Sequence, residues 1–166
     1  YAGIGKGTFY DYFSDKEDIL NEVVSLMFSD WMEVMIQKVG QAENPTQQLQ
    51  VILREGSSLG AQFEQLMIIY MDVWRWSVSQ KVSVEINDKF KSFLEENRRI
   101  LTGIIRNAQE QGQLKLNIDA DVLATSLIAL IDGFCLHQMI LKPDFDTFAI
   151  SDKFFELLLV GIKNVM

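Results

Sequence analysis

Cysteine is nearly absent from the 166 residues, and the one present, Cys135, excludes an internal disulfide and any zinc site built from several thiolates. A reducing compartment is the default expectation. Proline occurs twice and glycine ten times, too sparsely for a turn-rich sheet fold. We see no charge-free run of about 20 apolar residues and no basic-apolar leader. Neither a membrane span nor a secretion signal is expected, and the expected location is the cytoplasm. Positive charge is also scarce: 15 Lys and Arg against 23 Asp and Glu leave a formal net charge of −8. That excludes a nucleic-acid surface over most of the molecule, because neutralising phosphates needs clustered basic side chains. Any such contact must be local. Metal-ligand clusters, phosphate-cradling glycine loops and nucleophile elbows are missing too, so no enzyme activity, metal or cofactor is expected.

Apolar residues are plentiful, at 48% of the chain. A chain of this length buries roughly two thirds of its unfolded surface and needs no disulfide or metal to hold a core, which fits one globular domain with a small appendage. The apolar spacing predicts an all-α fold. Over residues 15–39, Ile19, Val23, Met27, Trp31, Met35 and Val39 recur every four positions, and Leu20, Val24 and Met32 widen the stripe. Gly40 stops that helix. Asn44 before Pro45 gives a cap and a first-turn proline for a second helix reaching about residue 60. Within it Gly56 and Gly60 lie one turn apart, marking either a close backbone approach or a weak point. A third helix covers 61–79 and a long fourth 83–111, with Asn97 interrupting its apolar face and Gly112 as its stop. Asp119 caps a fifth, which runs to Leu141 before Lys142-Pro143, and a sixth covers about 148–165. No strand pattern competes.

The last two helices are apolar on nearly every side and so need cover on more than one face. A second copy of the chain is the economical cover, and a homodimer is expected. The competing reading makes the fifth helix the centre of a monomer core. The small-residue stripe Ser126, Ala129, Gly133 and His137, with Phe154, Leu158 and Gly161 on the last helix, is the expected dimer interface. Cys135 and His137, two apart on one helix, point in nearly opposite directions and form no catalytic pair. Cys135 reads as a buried structural residue rather than a sensor, and His137 as a dimer-face residue rather than a pH switch.

The opening Ala2-Gly3-Ile4-Gly5-Lys6-Gly7-Thr8-Phe9-Tyr10-Asp11-Tyr12-Phe13-Ser14-Asp15-Lys16-Glu17-Asp18-Ile19-Leu20 closely resembles the tetracycline-repressor (TetR) family of bacterial transcription regulators. It is similar to the turn, the recognition helix and the start of the linking helix of that family's helix-turn-helix domain. Because Tyr1 stands in the middle of that motif, the resemblance implies a further N-terminal piece. A second, weaker resemblance to the family's C-terminal domain covers 108–136, including the Asp132-Gly133-Phe134 step. The resemblance implies a division into 1–38, the end of the DNA-binding domain with its linking helix, and 39–166, a helical effector-binding and dimerisation domain. It assigns DNA contacts to Lys6 and Thr8 at the start of the recognition helix, to Tyr10 and Tyr12 along it, and to Lys16 at the start of the next helix. Phe9 and Phe13 match core positions. Gly5 stands where a serine or threonine cap is usual, and Asp11, Asp15, Glu17 and Asp18 make the segment acidic, so DNA affinity must lean on residues preceding it.

By the same resemblance the helical domain holds a ligand chamber; its flexible methionines and aromatic faces suit a small effector, apolar or aromatic, and also cationic molecules. Helix spacing nominates Phe63, Met67, Tyr70, Met71 and Trp74 on the third helix, Asn97 and Leu101 on the fourth, and Phe134 and Gln138 on the fifth, with Asp72 as a source of negative charge. Ordinary core packing is the competing reading of that stripe. Asn97 points more strongly to a site, since a polar group on an apolar face must find a partner. The function implied is a ligand-responsive regulator, a repressor released from its operator by a small molecule. The alternative is a dimeric helical scaffold or ligand-binding protein that has lost specific DNA recognition.

Overall fold

The computed structural model describes residues 12–62, 64–141 and 146–163, apart from the side chains of 59–64. Six helices account for nearly all of it: α1 Lys16–Gly40, α2 Pro45–Gln62, α3 Glu64–Val78, α4 Val84–Glu110, α5 Ala120–Leu141 and α6 Thr147–Ile162. The chain is all-α as expected, and among the described residues the only β-type pairing is an isolated bridge between Leu114 and Lys163.

Local chemistry explains where these helices start and stop. Asp15 caps α1 by accepting the amides of Glu17 and Asp18 at 2.8 and 2.9 Å. Glu17 and Asp18 then occupy the first turn and Lys38 the last, as the helix dipole favours. Asn44 accepts the Gln47 amide at 3.0 Å ahead of Pro45, and Asp119 accepts those of Asp121 and Val122. Ser83 and Asp146 cap α4 and α6 in the same way. Beyond α4, Gly112 takes φ +70°, a left-handed conformation that a side chain would strain.

Packing gathers the helices around two cores. The first joins α2, α4, α5 and α6 through Leu49, Leu53, Leu101, Ile105, Leu127 and Phe155, with Leu114 from the α4–α5 link. The second joins α1, α3 and α4 through Val24, Phe28, Val73, Ile86 and Phe90. In the second core Phe28 stacks on Phe93 with ring centroids 4.1 Å apart, and Tyr70 meets Phe90 edge-on at 5.6 Å.

Helices α2 and α5 cross closely at Gly56. A Cβ there would lie 3.0 Å from Ile131 Cγ2, so the glycine makes room for the Ile131 side chain rather than for another backbone. Gly60 falls where side chains are not described. By length and composition α5 is apolar enough to cross a membrane, although Asp121 and Asp132 interrupt it and no charge-free run of that length exists. It packs against α2 and α4 and carries core residues Leu123, Ala124 and Leu127.

Candidate functional site

A cavity of about 690 Å³ lies beneath α1, between the two cores. Its wall includes Leu101, Ile128 and Ile131 from the side of the first core and Phe28, Tyr70 and Phe93 from the second. Helix α1 supplies nearly half of the wall, from Val23 to Gly40. Four methionines, Met27, Met32, Met35 and Met67, together with Trp31, give it a polarizable and adaptable lining. The size and the apolar character suit a drug-sized organic molecule.

Polar groups on this wall are few. Asn97 donates its amide to the Phe93 carbonyl at 2.8 Å, one turn back on α4, so part of its hydrogen-bonding demand is met within its own helix. Lys38 of α1 and Glu55 of α2 form an ion pair. The Tyr70 hydroxyl donates to Asp132 Oδ1 at 3.3 Å, a long contact. Burial holds the Asp132 carboxyl above the ordinary carboxylate range, against the lowering effect of the Tyr70 hydrogen bond. Burial, and then the charge and hydrogen bond of Asp132, keep the Tyr70 phenol protonated throughout the working pH range.

Of the residues nominated for the chamber, the structure brings Met67, Tyr70, Asn97 and Leu101 together on the cavity wall. Met71, Trp74, Phe134 and Gln138 are not part of that wall, a correction to the expectation. On α5 the wall is Ile128, Ile131, Asp132 and Cys135, successive positions on one helical stripe. Gln138 is turned towards α2, where its Nε2 donates to the Ser57 carbonyl. Trp74 packs against the second core. Asp72 is engaged by Arg75 at 2.9 Å. Phe63 lies outside the described residues.

Sequence reasoning missed the inner face of α1, which it read only as a helix stripe, and Asp132. A charge in the middle of an apolar helix is the same signal that drew attention to Asn97 and points to Asp132. Cys135 is buried, and its thiol donates to the Gly56 carbonyl at 3.2 Å, which fits the structural reading.

At the other end of α1, Lys16 is its exposed first residue and Tyr12 is 78% exposed. Lys6, Thr8 and Tyr10 lie outside the described residues. Of the nominated dimer residues, Ser126, Ala129, His137 and Gly161 are exposed, while Gly133, Phe154 and Leu158 are half-buried. Phe154 and Leu158 also pack against the first core. Around them Val122, Ile140, Leu157 and Val160 expose apolar surface.

Family comparisons agree with this architecture. The C-terminal model of BetI-type transcriptional repressors matches residues 45–152, and the tetR-family model of bacterial regulatory proteins matches residues 1–23. The chain belongs to the TetR family. A fatty acid metabolism regulator protein of Bacillus subtilis (strain 168) is 26% identical over 163 residues, which span 98% of this chain and 81% of the relative. Among solved structures, the regulator FadR of Bacillus subtilis in complex with stearoyl-CoA superposes with a TM-score of 0.77 at 23% identity, over 97% of this chain and 84% of the other. A transcriptional regulator of Saccharomonospora viridis in complex with choline gives 0.85 at 20%, over 99% and 83%.

This TetR-family chain is a ligand-responsive, DNA-binding transcriptional regulator. Proteins of the family bind operator DNA and small-molecule effectors, act as dimers and work as soluble cytoplasmic proteins. They are in general not enzymes.

Proposed function

We propose that the cavity beneath α1 is the effector chamber, and that an effector with an extended apolar body, by filling it, shifts α1 and releases operator DNA. One observation carries this reading: the helix that supplies nearly half of the cavity wall is also the helix that begins at Lys16, next to the DNA-binding segment. A ligand in this cavity touches α1 along most of its length. An apolar chain matches the lining, and the fatty acid metabolism regulator and the stearoyl-CoA complex among the similar proteins support such a body. Residues 1–38 form the DNA-binding end and 39–166 the effector-binding and dimerisation end, with α1 running across the division. Lys6, Thr8, Tyr10, Tyr12 and Lys16 are the proposed DNA contacts. The face around Ser126, Ala129, Gly133 and His137, with Phe154, Leu158 and Gly161, is the proposed dimer interface, which gives its exposed apolar neighbours a covering partner.

In such a dimer two recognition helices meet successive major grooves about 34 Å apart, and a shift of α1 alters that spacing. Fluorescence anisotropy with the DNA upstream of the protein's own gene, at several salt concentrations and with the preceding N-terminal helices of the DNA-binding domain present, tests the reading. Lys16→Ala and Tyr10→Ala are expected to weaken binding and reduce its salt dependence. Equal, weak binding of wild type and variants to operator and scrambled duplex would favour the scaffold alternative instead.

A further inference from the structure

Asp132 is the feature of the chamber that an apolar effector alone leaves unexplained. Its carboxylate sits on the wall of a largely apolar cavity, halfway along the most apolar stretch of α5. Among the described residues its hydrogen-bond donor is the distant Tyr70 hydroxyl, on Oδ1, and no basic side chain pairs with it. A half-buried carboxylate in that state is costly, because desolvation is not returned by a counter-charge. The remaining charges of the wall do not compensate it. Asp30, Lys38 and Glu55 complete the set, and Lys38 is already committed to Glu55. The cavity thus carries an excess of negative charge on an apolar surface. Aromatic faces at Trp31, Tyr70 and Phe93 share the wall and suit a positive charge as well.

We infer that the effector carries a positively charged ammonium group on its apolar body and that Asp132, oriented by Tyr70, is the residue that holds it. This rests on the chamber reading above and adds to it the charge and the anchoring atom. The ammonium supplies both the counter-charge and the hydrogen-bond donors that Asp132 lacks. A neutral alcohol supplies a donor only, and a carboxylate meets like charge.

Three probes that share one chain separate these chemistries: octylammonium, 1-octanol and octanoate, titrated calorimetrically at neutral pH against the whole protein. Octylammonium is expected to bind at least about tenfold more tightly than octanol, and octanoate most weakly, the order set by charge pairing in a desolvated site. In Asp132→Asn the ammonium preference should fall to within about twofold of octanol; Tyr70→Phe, which keeps the carboxylate, should keep the preference. If wild type binds octanol as tightly as octylammonium, or if Asp132→Asn retains the preference, the inference is wrong while the chamber reading stands. If none of the three binds, the chamber reading fails and the inference with it. The wild-type ranking decides the sign even if a variant fails to fold.

Discussion

Replacing Gly56 by alanine puts a methyl group where α2 and α5 cross, and the structure dictates what must yield. The new Cβ would lie 3.1 Å from Ile131 Cδ1, the far end of the side chain, and 3.0 Å from Cγ2, a methyl on its β-branched carbon that moves only if χ1 turns. Ile131 also lines the cavity, so the space that lets it move is the effector's own. Alanine in a helix gains roughly 1 kcal/mol over glycine. A displaced, off-rotamer isoleucine costs about 0.5–1.5 kcal/mol, and the two nearly cancel. In a protein of this size a residual of ~1 kcal/mol moves Tm by roughly 2–4 °C in either direction. Thermal melts followed by circular dichroism should therefore show little change. Octanol titrations should show affinity reduced several-fold, because Ile131 now intrudes on the chamber. A loss of more than ~3 kcal/mol would mean that Ile131 is pinned and the helices must part. Unchanged octanol affinity would mean that this part of the wall does not meet the ligand.

Other perturbations follow from the same geometry. Asp132→Asn should raise thermal stability at neutral pH: the folded carboxyl pKa lies above its unfolded value, so the native state loses stability as pH rises from the ordinary carboxylate range through the raised value. The neighbouring ionisable groups, Tyr70 on α3, Cys135 on α5 and Asp30, Lys38 and Glu55 on the cavity wall, stay in place, so melts at acidic and neutral pH should differ less in the variant than in wild type. Lys89→Met removes a clasp in which Lys89 donates to Asn21 at 2.7 Å and to Ser25 at 3.0 Å, joining α4 to α1. It should cost about 0.5–1.5 kcal/mol by chemical denaturation and weaken the effect of effector on DNA binding; unchanged coupling would show that the clasp plays no part in transmission. Ala129→Glu, on the exposed face of α5, should shift sedimentation towards monomer with the helical signal preserved. A persistent dimer would place the interface elsewhere.

Helix boundaries were legible because capping is local chemistry. Asn44 and Asp119 read as helix starts, and each lies within four residues of the amides it accepts; Asp15 and Ser83 read only as helix limits and act as caps in the structure. The cavity was harder to read, because a residue facing an empty chamber and one facing a packed core have the same composition. On α1 the cavity wall itself includes residues as exposed as Leu26 and Ile36, so no narrow buried stripe marks the face that lines it. On α5 the apolar character is nearly uniform around the axis, and periodicity does not fix its rotation. That is why Phe134 and Gln138 were nominated where Ile131 and Asp132 line the wall. Polar interruptions carried more information. Asn97 was recognised and reaches the wall; Asp132, which makes the same kind of break, was noticed only as part of a family resemblance.

The account stands most directly on reciprocal linkage between chamber and operator. Operator affinity would be measured by anisotropy with and without saturating octylammonium, and octylammonium affinity by calorimetry with and without operator duplex. The account predicts that the ligand weakens operator binding, and that operator weakens ligand binding by the same factor. Operator affinity unchanged at ligand saturation, with the ligand demonstrably bound, would contradict it.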